Sequence, residues 1–332
     1  MNIFVYGSGA WGLALSDVLA NNKHNVLVYT RNVDDFNELN NNHILNKYLG
    51  NIKINENIKF TYNLNDIDDY EIILIAVPSK AISDVVIKLN SNLKKPHLFI
   101  NATKGLEPTS DQRIQKYLSL NLNPIYIKGL VSILGPGFAK EVVDKNITCV
   151  CSVSQDEKVA KFCQNLFSNN YFRVYELFDV IGAEYSSSIK NSIAIASGIL
   201  SGLGYKENTK AALITRGLKE MVRFGLDAGA KEETFYGLTG VGDLLLTCSS
   251  DSSRNFMLGK TIGLTNNPKK VLSENKITVE GIYTTKVIND LAKKRGIEMP
   301  IISAIYSILF NFEDPTKVLK NIMLRPLKVE DW

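Results

Sequence analysis

The chain changes its pattern of hydrophobic and polar positions near residue 180. Before that point, short runs of consecutive apolar residues alternate with stretches of mixed polarity. The apolar runs are NIFVY (2–6), NVLVYT (25–30), EIILIAV (71–77), HLFINAT (97–103), VSILG (131–135) and ITCVCSV (147–153). Continuous apolar strands that alternate with helices are typical of a parallel sheet covered on both faces. Residues 1–180 are therefore predicted to form a doubly wound, mostly parallel, Rossmann-like α/β domain.

Residues 181–332 show helical periodicity instead of strand-like runs, which predicts an all-α second domain. One helical stripe consists of the apolar residues Ile189, Ile193, Ala196, Leu200 and Leu203. Further helices are expected in KAALITRGLKEMVRFGLDAG (210–229), which ends at a glycine stop signal, and in YTTKVINDLAKKRG (283–296). Pro300 is expected to open another helix, and Pro315 to interrupt the segment after that helix.

The composition of the 332-residue chain is that of an ordinary globular protein, with 45% hydrophobic and 22% charged residues. The 38 basic and 34 acidic side chains give a net charge of +4 and form no long basic block, so no nucleic-acid partner is expected. The longest apolar stretches, such as IISAIYSILF, fall far short of the roughly 20 residues that span a bilayer. Because no secretion signal is recognisable either, we expect a cytoplasmic protein without a transmembrane segment.

The cysteines are candidates for metal binding or for free thiols. None of the histidines lies near them in the sequence, and Cys149 and Cys151 occur inside an apolar run, where they would share one face of a strand. Buried free thiols in a reducing compartment are therefore expected at Cys149, Cys151, Cys163 and Cys248, and no metal site.

A glycine-rich turn comes directly after the first apolar run. Gly7, Gly9 and Gly12 have the spacing G-x-G-x-x-G between a predicted strand and a predicted helix. In a dinucleotide site, the first glycine permits a tight turn, the second lets backbone N–H groups approach a pyrophosphate, and the third lets the helix pack on the sheet. The turn therefore predicts a dinucleotide site, and a purely structural bend is the alternative.

The end of the second predicted strand bears on the type of cofactor. Arg31 and Asn32 stand where an acidic residue would grip the ribose hydroxyls of NAD. Arg31 could pair with a 2′-phosphate or stack on adenine, which favours NADPH. Asp34 and Asp35 are close enough to keep NAD open, and Arg31 could equally be a solvated strand-end charge.

Two lysines are candidates for handling the proton that accompanies a hydride. Lys104 follows the carboxyl end of a predicted strand, where ligands bind in open α/β sheets. Lys190 shares one line of a predicted helix with Ala194, Ser197 and Ser201, small residues that would leave space for a flat ring before the ammonium. The alternative for either lysine is ordinary solvation.

The stretch GLTGVGDLLLTCSSDSSRN (237–255) contains further polar candidates. Asp243 precedes an apolar run, so it is expected to be partly buried and to need a partner. Ser253 is a candidate N-cap, with Arg254 and Asn255 in the first helical turn. A helix start that carries an arginine is a suitable phosphate site, and an ordinary capped surface helix is the alternative.

Taken together, these stretches resemble the bacterial-type NAD(P)-dependent glycerol-3-phosphate dehydrogenases. The matching segments occur in the order of that family over almost the whole chain. They are GSGAWGLAL (7–15), AVPSKAI (76–82), ATKGLE (102–107), GPGFAKEV (135–142), FRVY (172–175), IKNSIAI (189–195), LITRGLKEM (213–221), GLTGVGDLLLTC (237–248), SRN (253–255), VEGIYTTK (279–286) and EMPI (298–301).

The resemblance implies a role for each matching residue. Lys190 would exchange the proton at the substrate C2 oxygen, with Asn191, Asp243 and Thr247 around it, and Lys104 would touch both substrate and nicotinamide. The substrate phosphate would be bound by Arg254 and Asn255, with Ser253, Gly135 and Gly137 nearby. The residues that would line the cofactor, beside the glycine turn, are Ala10, Trp11, Arg31, Asn32, Tyr48, Lys104, Ala139, Arg254, Val279 and Glu280.

The sequence departs from the family pattern in two places that matter for the site. Gly137 stands where a serine or threonine would contact the substrate, so one hydrogen bond would have to come from a backbone N–H group. Ser186, Ser187 and Ser188 replace a stretch of glycine and alanine before Lys190.

The function implied is the interconversion of dihydroxyacetone phosphate and sn-glycerol 3-phosphate with NAD or NADP, which supplies a phospholipid precursor. A homodimer is a further expectation. The alternatives are another dehydrogenase of the β-hydroxyacid type, and a non-catalytic dinucleotide sensor that uses its helical half to bind a partner.

Overall fold

The structure is a computed structural model that describes residues 1–275, 277–327 and 329–330. It divides into two compact units, Met1–Val180 and Ile181–Trp332. Among the described residues, no helix combines the length and the apolar character needed to cross a membrane. Nor does the described part of the chain bring three or more histidine, cysteine, aspartate or glutamate side chains together in a way that could hold a metal ion.

In the first unit, which is described in full, eight strands form one sheet in the order β3-β2-β1-β4-β5-β6-β7-β8. The strands are β1 (Asn2–Tyr6), β2 (Asn25–Tyr29), β3 (Lys59–Thr61), β4 (Ile72–Ile75), β5 (His97–Asn101), β6 (Ile127–Leu134), β7 (Thr148–Val153) and β8 (Phe172–Leu177). All neighbours are parallel except β6 and β7. The strand order reverses between β1 and β4, the place where open α/β sheets bind ligands beyond the carboxyl ends of their strands.

Helices cover both faces of this sheet, which confirms the doubly wound fold. They are α1 (Ala10–Asn21), α2 (Val33–Asn42), α3 (Asn46–Leu49), α4 (Ile82–Asn92), α5 (Ile114–Asn121), α6 (Ala139–Val143) and α7 (Glu157–Phe167). Side chains of β1 alternate between two hydrophobic cores: Ile3 and Val5 pack in one, and Phe4 and Tyr6 in the other. A strand buried on both faces needs apolar residues at every position, which explains the unbroken apolar runs.

Two edge strands and one strand direction were not among the sequence predictions. β3 has only three residues, and β8 exposes Arg173 and Tyr175 in alternation with buried neighbours. Neither produces a continuous apolar run, because an edge strand is not covered on both faces. β7 runs antiparallel to β6, and an apolar run carries no information about the direction of its partner.

The described part of the second unit contains helices and short helical turns. The helices are α8 (Val180–Gly202), α9 (Glu207–Asp227), α10 (Asp243–Cys248), α11 (Arg254–Thr265), α12 (Pro268–Glu274), α13 (Glu280–Arg295), α14 (Pro300–Phe310) and α15 (Pro315–Met323). Pro300 opens α14 as predicted, whereas Pro315 begins α15 instead of interrupting a helix. The carboxylate of Asp314 caps α15 by accepting from the N–H groups of Thr316 and Lys317.

A carboxylate from α9 caps helix α14. Glu220 is buried, and it accepts hydrogen bonds from the N–H groups of Ile301 and Ile302 at 2.7 and 3.1 Å. These N–H groups have no partner within their own helix, so the carboxylate satisfies them from outside. Burial nevertheless dominates its titration and raises the pKa of Glu220 to about 8.

Helices α8 and α11 cross with their backbones in contact. A Cβ atom on Gly198 of α8 would lie 2.0 Å from the carbonyl oxygen of Phe256, and one on Gly259 of α11 would lie 2.0 Å from that of Ile195. One turn further along each helix, Gly202 and Gly263 approach the opposite backbone in the same way. Only glycine permits this approach, which fixes the two helices against each other.

All four cysteines are free thiols. Cys151, Cys163 and Cys248 are buried, whereas Cys149 is partly accessible on β7. Burial raises the pKa of Cys151 and of Cys248 to about 12.

Candidate active site

The glycine turn joins β1 to α1 and leaves open space before the helix. Gly7 adopts a φ of +123°, and a Cβ there would lie 2.5 Å from the carbonyl oxygen of Ala76. A Cβ on Gly12 would lie 2.2 Å from the Gly7 oxygen, so this glycine allows the helix to pack against the turn. A Cβ on Gly9 would meet no atom within 4 Å, so this position faces open space.

The N-terminus of α1 has the properties of an anion site. Its N-cap, Gly9, provides no side-chain hydrogen bond, and its first turn contains no acidic residue. The N–H groups of a first helical turn have no intrahelical partners, and the helix dipole favours negative charge beside them. Because the turn lies where β1 and β4 adjoin, the residues fit the pyrophosphate of a dinucleotide.

Several other predicted residues of the first unit gather beside the glycine turn. The Lys104 ammonium lies 5.9 Å from the ring centre of Trp11 and donates to the Gly135 carbonyl oxygen at 3.0 Å. A Cβ on Gly137 would lie 3.0 Å from the Trp11 ring, so glycine at this position gives the indole its space. Helix α6, which begins at Ala139, packs against α1.

The end of β2 presents Arg31 to solvent, while the nearby polar side chains have local partners. The side chain of Asn32 caps α2 by accepting from the Asp35 N–H group at 3.0 Å. The Asp35 carboxylate pairs with the ammonium of Lys47 at 2.5 Å. Asp35 is therefore engaged within the protein, whereas Arg31 is exposed.

Tyr48 lies on the short helix α3 and is 43% exposed. Its ring centre is 5.0 Å from the Lys47 ammonium. A Cβ on Gly50 would lie 3.9 Å from the Lys140 ammonium, which places the end of this segment beside α6.

In the second unit, Lys190 and Asp243 form a buried ion pair. The Lys190 Nζ lies 2.5 Å from Asp243 Oδ1, and the two side chains are 4% and 1% exposed. Lys190 also donates to Thr247 Oγ1 at 2.9 Å, while the Thr247 hydroxyl donates to the Asp243 carbonyl oxygen at 2.6 Å. Neither side chain is solvated, and the sequence expectation that a buried Asp243 needs a partner is confirmed.

A tight turn brings Asp243 to this position. Leu238–Gly242 forms a π-helical turn that is kinked at Gly240, where φ is −95° and ψ is −105°. A Cβ on Gly240 would lie 2.0 Å from the carbonyl oxygen of Phe235, so no larger residue fits. Asp243 then begins α10, and Thr247 lies one helical turn later on the same face.

The small residues beside Lys190 do not leave the open space that the sequence suggested. Ser197 donates to the carbonyl oxygen of Cys248 at 2.8 Å, and Ala194 is fully buried. Ala194 and Ser197 are thus buried and offer no open space for a flat ring, whereas Ser201 is partly accessible. Burial therefore extends beyond the predicted apolar stripe.

The three serines before Lys190 are buried in α8, and two of them bond within the helix. Ser186 donates to the carbonyl oxygen of Ala183, and Ser188 to that of Glu184. The hydroxyl of Ser187 is buried without a hydrogen-bond partner. Hydroxyls that bond to the preceding turn fit a closely packed helix, so this departure from the family pattern leaves α8 intact.

The start of α11 has the predicted cap. The Ser253 hydroxyl accepts from the Phe256 N–H group at 3.2 Å, and Arg254 is the first helical residue and is exposed. Asn255 donates to Asn191 Oδ1 on α8 at 3.0 Å. The structure thus links the predicted phosphate residues to the helix that carries Lys190.

The start of α13 reaches the same group of residues. Val279 is its N-cap and Glu280 its first residue. The N–H group of Gly281 donates to Asn255 Oδ1 at 2.9 Å, and the Gly281 carbonyl oxygen accepts from Thr285. The sequence did not single out Gly281, and only its place beside Glu280 in VEGIYTTK could have indicated it.

Glu107 is a second residue that sequence reasoning missed. It is buried in the loop after Lys104, where its carboxylate accepts hydrogen bonds from the backbone and hydroxyl groups of both Thr109 and Ser110. Burial alone would raise the pKa of Glu107, but these hydrogen bonds outweigh burial and hold the pKa below its usual range. The signal available in the sequence for this site is an acidic residue two and three positions before hydroxyl side chains.

A glycine turn on a doubly wound sheet, together with a helical unit that holds a buried lysine–carboxylate pair, defines a dinucleotide-dependent dehydrogenase. Family models give the class its specific form: residues 2–160 match the NAD-dependent glycerol-3-phosphate dehydrogenase N-terminus, and residues 179–320 match the corresponding C-terminus. The chain belongs to the NAD-dependent glycerol-3-phosphate dehydrogenase family.

Individual relatives agree with this assignment. The chain is 42% identical over 329 residues to the glycerol-3-phosphate dehydrogenase [NAD(P)+] of Staphylococcus epidermidis, covering 99% of each sequence. It is similar to the crystal structure of glycerol-3-phosphate dehydrogenase from Coxiella burnetii, with a TM-score of 0.91, 33% identity, and 97% and 98% of the two chains covered. The yeast glycerol-3-phosphate dehydrogenase structure shares the fold, with a TM-score of 0.83, 24% identity, and 97% and 99% covered.

Proposed function

We propose that the protein interconverts dihydroxyacetone phosphate and sn-glycerol 3-phosphate with NADH or NADPH, in the cytoplasm, and supplies glycerol 3-phosphate for phospholipid synthesis. Membership of the family supports this reaction. The observation that carries it is the buried pair of Lys190 and Asp243, because an ammonium held in a dry environment is suited to proton transfer at a substrate oxygen. In this proposal Met1–Val180 binds the dinucleotide and Ile181–Trp332 carries the catalytic lysine.

Two side chains beside Lys190 hold and direct its ammonium. NADH or NADPH supplies the hydride when bound. Negative charge then grows on the C2 oxygen of the substrate, where the Lys190 ammonium stabilises it and donates a proton. Asp243 holds the ammonium by charge, and Thr247 directs it, because a hydroxyl that donates to the Asp243 carbonyl turns its lone pairs toward Nζ.

The phosphate of the substrate is proposed to bind at the start of α11. Exposed Arg254 offers a planar set of donors, and the helix N-terminus capped by Ser253 adds partial positive charge. Asn255 lies in the same turn. Fixing the phosphate holds the ketone in place for reaction. Lys104, Gly135 and Gly137 are proposed as further substrate residues of the first unit.

The cofactor is proposed to bind along the glycine turn. The pyrophosphate would lie at Gly7, Gly9 and Gly12, and further contacts are proposed from Ala10, Trp11, Arg31, Asn32, Tyr48, Lys104, Ala139, Arg254, Val279 and Glu280. We propose a preference for NADPH, because Arg31 is exposed at the strand end whereas the Asp35 carboxylate is occupied by Lys47. A homodimer is also proposed, and sedimentation of the purified chain would test it.

The reaction can be tested by following cofactor oxidation with dihydroxyacetone phosphate, separately with NADH and NADPH. We expect turnover in the wild type and its near-complete loss in Lys190→Ala, which should still bind cofactor. Turnover only with a hydroxy acid or its keto form would point to another dehydrogenase. Cofactor binding without turnover of any of these substrates would point to a dinucleotide sensor.

A further inference from the structure

The side-chain amide of Asn255 joins three helices through two hydrogen bonds. Its Oδ1 accepts from the N–H group of Gly281 on α13 at 2.9 Å, and its Nδ2 donates to Asn191 Oδ1 on α8 at 3.0 Å. Asn191 is the residue after Lys190 and is 5% exposed. A Cβ on Gly281 would lie 2.7 Å from Asn255 Oδ1, so glycine allows this close approach.

These two bonds fix which end of each amide faces which way. A backbone N–H group can only donate, so Asn255 must turn its oxygen toward Gly281 and its NH₂ group toward Asn191. Asn191 must therefore turn its own oxygen toward Asn255, and its NH₂ group points away. The acceptor beside that NH₂ group is the Ser187 carbonyl oxygen, at a long 3.5 Å.

The Gly281 peptide, whose N–H group donates to Asn255, is itself held in place by its carbonyl oxygen. The Gly281 carbonyl oxygen accepts from the Thr285 hydroxyl at 2.6 Å, and the hydroxyl oxygens of Thr285 and Ser192 lie 2.9 Å apart, within hydrogen-bond distance. Ser192 and Thr285 are both fully buried. The Gly281 peptide is thus held against α8, and the direction that it imposes on Asn255 is not free to reverse.

We propose that Asn255, beside its expected place at the substrate phosphate, sets the orientation of the Asn191 amide, so that Asn191 offers an N–H donor to the substrate. This inference rests on the proposed function. The ketone and the phosphate of dihydroxyacetone phosphate are both hydrogen-bond acceptors, and negative charge grows on the ketone oxygen during reduction. A reversed Asn191 amide would turn its carbonyl oxygen to those groups and repel them.

The variant Asn255→Asp tests the orientation with little change of shape. One carboxylate oxygen still accepts from Gly281, but the other now requires a donor from Asn191, whose amide must turn over. We expect kcat/KM for dihydroxyacetone phosphate to fall by about 10- to 100-fold, as for loss of a hydrogen bond to a charged group. The dissociation constant for NADPH should change by less than about 3-fold, which also shows that the variant is folded.

A double-mutant cycle with Asn191→Ala separates this effect from simple repulsion between the new carboxylate and the substrate phosphate. If Asn255 acts through Asn191, Asn255→Asp should cost at least about 3-fold less in the Asn191→Ala background than in the wild type. If the cost is the same in both backgrounds, the carboxylate acts directly and the inference is wrong. Should Asn255→Asp fail to fold, Asn255→Ala serves in the same cycle with the same criterion.

The two proposals fail in different ways. If the wild type does not turn over dihydroxyacetone phosphate, the proposed function is wrong. If the wild type is active and the two substitutions have independent effects, only the orientation of Asn191 by Asn255 is wrong.

Discussion

Adding one carbon atom at the contact between α8 and α11 should weaken both the fold and the phosphate site. The substitution Gly259→Ala places a Cβ 2.0 Å from the Ile195 carbonyl oxygen and 2.9 Å from the Ile199 nitrogen. Real Cβ atoms essentially never approach other atoms closer than 3.0 Å, so α11 has to move by about 1 Å. The obstructing atoms are backbone, and no change of rotamer can relieve them.

The size of the effect comes from two opposing contributions. Overpacking of a close contact costs about 3 kcal/mol when neighbouring backbone has to move, whereas alanine is favoured over glycine in a helix by about 1 kcal/mol. The free energy of unfolding should therefore fall by about 2 kcal/mol, which corresponds to roughly 4–8 °C in Tm. Arg254 begins the same helix, so a displacement of about 1 Å should also raise KM for dihydroxyacetone phosphate by at least about 10-fold.

Thermal unfolding and steady-state kinetics measure both consequences. Thr261→Ala is the matched control, because Thr261 is exposed on the same helix, and its effect should stay within about 0.5 kcal/mol. If Gly259→Ala keeps the Tm and KM of the wild type, the backbone contact does not hold α11 in place and this reasoning is refuted.

Three further substitutions test the ion pair, the cofactor preference and the buried carboxylate. Asp243→Asn should lower the free energy of unfolding by about 3 kcal/mol in urea titrations and reduce kcat strongly, because it removes the carboxylate that pairs with the buried Lys190 ammonium; an unchanged stability would contradict the buried pair. Arg31→Ala should raise KM about 10-fold for NADPH and less than about 3-fold for NADH, and equal effects would remove the argument for NADPH. Burial raises the pKa of Glu220 to about 8, above the value of an exposed glutamate, so the folded state binds a proton on this carboxyl group more tightly than the unfolded state does. The stabilisation that this protonation gives is present near pH 5 and is lost as the pH rises toward 8. The glutamine of Glu220→Gln stays neutral, so this variant should lose less stability than the wild type between about pH 5 and about pH 8.5. Identical slopes of the unfolding free energy against pH in the two proteins would contradict the role of Glu220.

The sequence predicted the central sheet because strands buried on both faces need apolar residues at every position. It did not predict β8, whose Arg173 and Tyr175 are exposed at the edge of the sheet. Strand direction at β7 depends on long-range pairing, which no local pattern records.

Local signals also identified parts of the candidate site. Ser253 was recognisable as an N-cap, and Asp243 as a buried acid, from their immediate neighbours. Pairing of Asp243 with Lys190, and the direction of the Asn255 amide, depend on helices that are distant in sequence. The small residues beside Lys190 were misinterpreted, since small side chains serve close helix packing as readily as they serve a ligand.

The unequal burial of the cysteines provides a built-in reporter. A thiol-reactive dye should modify the native chain at Cys149 and leave Cys151, Cys163 and Cys248 untouched until the protein opens. In a brief labelling pulse, the number of dye molecules above one per chain, divided by three, therefore measures the fraction of unfolded molecules in a sample, without any engineered label.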